Sequence, residues 1–227
     1  MLNNDIVGNA SSGDGTADTR SVRVFSEGPE DSPSRQLARA IKRVAALYVP
    51  AHEVRLVARQ DRFGRGGDHM AFNDHGYAGV RFTESKENYS RQHTGDDTFA
   101  GVSPPYLARN AKVNGAALAV LGLAPAAPAI SDERGRPTLT RGASGYDAVL
   151  RWTASAGATG YRVFWRPAWQ PDWQNERDVG NVTEFVLPNV SIDDYVFGVA
   201  ALDAAGNESL VSAYVNPGRP PVLIQTN

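Results

Sequence analysis

The stretch Leu123-Ala-Pro-Ala-Ala-Pro-Ala129 divides this chain of 227 residues into two halves with different grammar. It offers little to pack, and the polar Ser131-Asp-Glu-Arg-Gly-Arg-Pro137 extends it, so 125–137 reads as an interdomain linker. Upstream, helical and strand patterns alternate. Leu37, Ile41, Val44 and Tyr48 recur at helical spacing behind Ser32-Pro33-Ser34, where a serine caps and a proline suits the first turn, which predicts a helix over 34–48. Val54, Leu56 and Ala58 alternate with polar residues, as do Val80 and Phe82, and both runs read as strands. A second helix is expected near 104–122, carrying Tyr106, Leu107, Val113, Leu118 and Leu121. With a strand at Leu2–Gly8, this is the order of an α/β sheet domain over 1–124. Downstream every signal is β, because short runs such as 148–152, 161–165, 185–187 and 195–200 are separated by Gly, Pro, Asn and Asp turns, which predicts a β-sandwich over 138–216 and a tail over 217–227.

Composition narrows the function classes. With 41% hydrophobic and 21% charged residues, the chain is globular rather than disordered. Basic against acidic residues number 15 to 14 over 1–124 and 8 to 11 over 125–227, so neither half carries a nucleic-acid patch. No run is apolar for the roughly 20 residues a membrane span requires, and Met1-Leu2-Asn3-Asn4-Asp5 has neither the basic nor the apolar region of a signal peptide. The absence of cysteine excludes disulfides, thiolate chemistry and Cys-ligated zinc, leaving His, Asp and Glu to build any metal site.

The densest chemical text is Arg62-Phe-Gly-Arg-Gly-Gly-Asp-His69, Phe72-Asn-Asp-His-Gly76, Val80-Arg-Phe-Thr-Glu-Ser85 and Glu87-Asn-Tyr-Ser-Arg-Gln-His-Thr-Gly-Asp-Asp-Thr98, which holds three of the four histidines. Histidine with carboxylates in loops after strands is a hard-metal or zinc-ligand candidate. The alternative is structural: Asp97-Thr98 caps the following helix, Asp68-His69 is a satisfied loop pair and the glycines only turn the chain.

Taken in order, strand-Asp5-Ile-Val-Gly8, Arg65-Gly-Gly-Asp-His69, Gly76-Tyr-Ala-Gly-Val-Arg-Phe82 and Asn88-Tyr-x-x-x-His93-Thr-x-x-Asp97-Thr98 resemble the C-terminal part of the di-zinc aminopeptidases, peptidase clan MH, family twenty-eight. The resemblance spans about 1–124 and implies part of a three-layer zinc-peptidase sheet domain. It implies Asp5 as a ligand of one zinc and His93 as a ligand of the other. It places Asp68 and His69 near the site, with Gly67 where the family has serine, and Tyr89 near the scissile carbonyl. The family's His-x-Asp motif, bridging Asp and Glu-Glu pair, the last supplying its general base, lie upstream of the position of Asp5, and 1–124 contains neither a His-x-Asp nor a Glu-Glu. A sheet without its first strands is expected to show an unpaired edge and an apolar face.

In the second half, Trp152 and Tyr161 at alternating positions, Leu187 before Pro188 and Tyr195 opening a long strand resemble the fibronectin type III family, an adhesive or spacer module, with Leu187 and Tyr195 where that family has its tyrosine corner. The combined expectation is zinc-dependent hydrolysis of N-terminal peptide bonds by the complete protein, on peptide or protein substrates, with two zinc ions of which this chain alone completes neither site, so that the isolated chain is inactive. Export to the periplasm or the extracellular space is what the resemblance implies. The competing expectation is a non-catalytic binding protein whose sandwich does the work, meeting carbohydrate or protein through Trp165, Trp169 and Trp173.

Overall fold

A computed structural model describes residues 1–215, so the tail expected over 217–227 lies outside the described residues. The chain divides into two compact units, one comprising Met1–Ala124 with Ala205–Leu210, the other comprising Pro125–Ala204 with the residues from Val211 on.

The first unit contains β1 (Leu2–Asn4), β2 (Ser21–Ser26), α1 (Pro33–Tyr48), β3 (Glu53–Val57), α2 (His69–Asp74), β4 (Val80–Glu84), a 3-10 turn at Phe99–Gly101 and α3 (Pro104–Leu123). Its sheet runs β1-β4-β2-β3, with β1 parallel to β4, β2 antiparallel to β4 and β3 parallel to β2. Strand β2 has no counterpart in the sequence reading, although Val22 and Val24 are fully buried in it. Helix α1 forms where its cap and stripe predict: Ser32 Oγ accepts from the Arg35 N–H at 3.1 Å, Pro33 opens the helix, and Leu37, Ile41 and Val44 are buried. Replacing Ser32 by alanine is expected to cost about 1 kcal/mol in urea unfolding, and a loss within experimental error would show that the cap is idle. Helix α3 departs from the predicted stripe. Its buried face is Tyr106, Asn110, Val113 and Ala117, four residues at helical spacing, which turns Leu107 and Leu118 outward.

Valines 22, 24, 54 and 80, with Phe82, meet Leu37, Ile41, Val113 and Ala117 in one core, so α1 and α3 cover one face of the sheet. Alternation along β4 sends Arg81 and Thr83 to the other face, where both are fully buried. That face is therefore not the apolar surface expected there. There Arg81 forms ion pairs with Asp5 and Asp61. Among the described residues the short edge strand β1 pairs only with β4.

In the second unit β5 (Leu139–Arg141), β6 (Ala148–Arg151) and β9 (Glu184–Leu187) form one antiparallel sheet, and β7 (Gly160–Pro167), β8 (Asn175–Gly180), β10 (Tyr195–Leu202) and β11 (Ser212–Ala213) form the other, in the order β11-β10-β7-β8. Leu150, Trp152, Tyr161, Val163, Leu187 and Phe197 fill one core, with the Trp152 and Tyr161 rings 5.4 Å apart. The linker is shorter than expected. Ala129 bridges Thr153, Ser131 bridges Pro137 and Ile130 packs on the core, so the polar stretch is a hairpin of the sandwich. Tyr195 packs against Phe197 and shows no tyrosine-corner hydrogen bond among the described residues; the tyrosine hydroxyls bonded to backbone there are those of Tyr161, accepting from Ser155 N–H at 2.8 Å, and Tyr214, donating to Arg151 carbonyl at 2.6 Å. Nor do the three tryptophans share one face, because Trp165 packs on the core, Trp173 tilts against Phe164, and Trp169 is exposed.

Candidate functional site

Asp5 and Glu84 stand at the C-terminal ends of the parallel pair β1 and β4, whereas His69 opens α2, its carbonyl close to Gly79 just before β4. Asp5 follows β1, its N–H donating to Phe82 carbonyl at 3.2 Å. Ile6 then takes φ 61°, a left-handed conformation costly for a β-branched residue, and its carbonyl accepts from the Glu84 N–H at 2.7 Å. His93 also sits at φ 60°, exposed on the turn that leads to the 3-10 segment.

Beneath them lies a network of ion pairs. The buried Arg81 guanidinium reaches Asp5 Oδ2 at 2.8 Å through Nη1, and the same nitrogen donates to Asp61 Oδ2 at 3.2 Å and to Gly66 carbonyl at 3.1 Å. Asp61 Oδ1 receives Arg62 Nε at 3.2 Å, Arg62 Nη1 donates to Glu87 Oε2 at 2.7 Å, and Glu87 Oε2 also receives Gln92 Nε2 at 3.1 Å. Arg23 closes on Glu87 Oε1 at 2.6 Å. A continuous chain of charge-assisted bonds thus links Asp5 to the residue before His93. Burial alone would raise the Glu87 pKa, but hydrogen bonds from Arg62, Gln92 and Arg23 outweigh it and hold the carboxyl below its ordinary value.

This network explains Gly67. A β-carbon there would lie 2.9 Å from Arg81 Nη1 and 3.1 Å from His69 Nδ1, so a serine would have to displace the buried guanidinium. His69 is not a loop residue paired with Asp68; it opens α2, fully buried, with Nε2 2.7 Å from Gln60 carbonyl and Nδ1 without a hydrogen-bond partner among the described residues. Asp68 stands at the helix cap without a capping hydrogen bond. Asp97 caps no helix either, since α3 begins after Ser103 and no side chain caps the 3-10 turn. Tyr89 is exposed, with Arg65 5.8 Å over its ring. The fourth histidine, His52, is part of the packing: its Nε2 lies 2.7 Å from Asn110 Oδ1, and burial lowers its pKa.

Among the described residues no three His, Asp or Glu side chains come together as metal ligands. A cation already engages one oxygen of Asp5, and His93 stands on an exposed turn. The residues present therefore do not by themselves fit a zinc ion, which requires three or four donors.

Glu84 is the buried acid that the sequence reading passed over. It ends β4, 2% exposed, its Oε2 accepting from the Asn9 N–H at 2.9 Å. Burial raises its pKa to about 7, and the nearby Glu87 adds to the rise against the hydrogen bonds from Asn9 and Asn88. The signal in the sequence was its register: in β4 it lies two residues beyond the core residue Phe82, on the same side of the strand. Because the folded value lies above the ordinary 4.5, the favourable contribution of this group is complete at low pH and is lost as pH rises towards 7. Glu84→Gln is therefore expected to gain stability relative to the native chain as pH climbs through that window, as read by denaturant melts, and a difference constant with pH would refute the shift.

No family model matches the chain. Solved structures with a likeness to it include a Fn3-like protein from Clostridium thermocellum, 25% identical, covering 43% of this chain and 99% of its own with a TM-score of 0.30, and the FN3 domain of human collagen XX, 19% identical with a TM-score of 0.29. Among curated proteins, one named "Probable zinc metalloprotease" from Pyricularia oryzae is 35% identical over 92% of this chain and 47% of its own length, and one from Leptosphaeria maculans is 35% identical over 96% and 56%. A third, from Pyrenophora tritici-repentis, is 33% identical over 92% and 54%. The chain thus spans about half the length of the curated relatives it matches, and over nearly all of its own length it is similar to proteins named as zinc metalloproteases.

Proposed function

We propose that this chain is the C-terminal portion of a zinc-dependent peptidase that releases residues from the amino terminus of peptides or proteins, with the sandwich as a fibronectin type III-like appendage. The observation that carries the reading is the similarity to named zinc metalloproteases across both units rather than across the sandwich alone. In this reading Asp5 and His93 each give one donor to a different zinc. The remaining donors and the proton-moving glutamate belong to sequence outside these residues. Arg81 then serves as the group that holds Asp5 Oδ2 and fixes the direction of the carboxylate, as hydrogen-bonded carboxylate ligands generally require.

The test has two parts. Titration calorimetry of the present chain is expected to show no sub-micromolar zinc binding that depends on His93, because one donor per ion does not repay the ion's dehydration. In the full-length protein, turnover of an aminoacyl anilide is expected to be abolished by chelator, and Asp5→Ala and His93→Ala are each expected to lower kcat/KM by about 100-fold or more. Near-native turnover in the His93→Ala protein would overturn the assignment.

A further inference from the structure

We propose that the cleft over Glu84 is a binding site for an organic cation of the class of a lysine or arginine side chain. The cleft has a volume of about 300 Å³ and lies between the loops that follow β1 and β4. The two other acids buried in this part of the unit, Asp61 and Glu87, are each held by arginine, whereas Glu84 forms no ion pair among the described residues. Its bonds from the Asn9 and Asn88 N–H groups aim the carboxyl without supplying a cation. Ile6 and Val102 give the wall an apolar side on which an alkyl stem can lie. At Gly8 the wall is bare, a β-carbon there coming within 3.6 Å of Val102.

The other charged or titratable groups around Glu84 leave the cleft acidic. Arg91 and Asp97 both line it, with opposite charges. Arg23 donates Nε to the main-chain carbonyl of Glu84 at 2.9 Å but spends its other arm on Glu87, and the Tyr106 hydroxyl is engaged by the Ser85 N–H and Ser21 carbonyl. An entering ammonium or guanidinium therefore meets a desolvated carboxyl that forms no ion pair among the described residues, although Arg91 lines the same cleft. Near neutral pH that carboxyl is partly protonated, so binding the cation passes its proton to solvent.

Binding of Nα-acetyl-lysine methylamide and Nα-acetyl-arginine methylamide to the intact chain tests this, with the neutral Nα-acetyl-norleucine methylamide as control and calorimetry in two buffers to count protons. Neither metal nor turnover is involved, so the result is independent of the peptidase reading. The cationic probes are expected to bind roughly tenfold or more tightly than the control, with proton release near neutral pH. Glu84→Gln is expected to erase that preference, and Thr98→Trp, which fills the exposed rim, to abolish binding of the cationic probes while leaving the core intact. Equal binding of charged and neutral probes overturns the proposal, as does cation binding that survives Thr98→Trp. Norleucine amide with a free α-amine binding as tightly as the acetyl-lysine probe also overturns it, since the cleft would then take the amino terminus of a peptide rather than a basic side chain. If Glu84→Gln fails to fold, the Thr98→Trp protein and the norleucine control decide the outcome.

Discussion

Replacing Arg81 by alanine is expected to destabilise the first unit by about 3–5 kcal/mol, the cost of breaking a buried ion pair from one side. Arg81 is fully buried, and it holds both Asp61, whose side chain is also buried, and Asp5. Its removal leaves Asp61 to Arg62 alone, deprives Gly66 carbonyl of a donor and opens a cavity next to Gly67. The partner variant Asp61→Asn keeps shape and polarity and should cost less. The double variant should cost clearly less than the two single losses together, because the two groups share one interaction. Chemical denaturation of the four proteins decides it. A loss below about 1 kcal/mol for Arg81→Ala, or strict additivity in the cycle, would mean that the network is no more than a solvated surface cluster.

The second large effect concerns the sandwich. Residues 125–227 expressed alone are expected to melt in one cooperative transition, and Trp152→Ala within that fragment to cost about 3–5 kcal/mol. Trp152, Tyr161 and Phe197 are buried together in a core fed by both sheets, and Tyr214 ties the last strand region to Arg151 by a bond of 2.6 Å. The hairpin from Ala129 to Pro137 belongs to this unit, so cleavage should be placed at 125–128; a cut made within 129–137 is expected to lower the melting temperature. A fragment without a cooperative transition would show that the sandwich depends on residues before Pro125.

The sequence was most legible where a local rule and the tertiary environment agree. Ser32-Pro33 with a stripe at helical spacing could only start a helix, and the alternation around Trp152 and Tyr161 made strands whichever partners they found. It was least legible at β4. There each residue is buried, so Arg81 and Thr83, alternating with Val80 and Phe82, read as a solvent face, and Glu84 reads as the polar end of the strand, when all three are in fact interior. Strand β2 was missed for a related reason: buried on nearly all sides, Ser21–Ser26 shows no clean period-two alternation.

The sequence by itself determined the capped helix and the sandwich and nominated Asp5 and His93 as candidates, since each reading depends on neighbours in the chain or on a motif. Only the tertiary structure decided that a guanidinium holds Asp5, that Asp97 caps no helix, that Gly67 makes room for Arg81 and that Glu84 stands buried with no ion pair among the described residues. The physical reason is common to all four. The partner, the void or the lost solvent that fixes the behaviour of a charged group lies many residues away, and charge takes its meaning from whatever surrounds it in space.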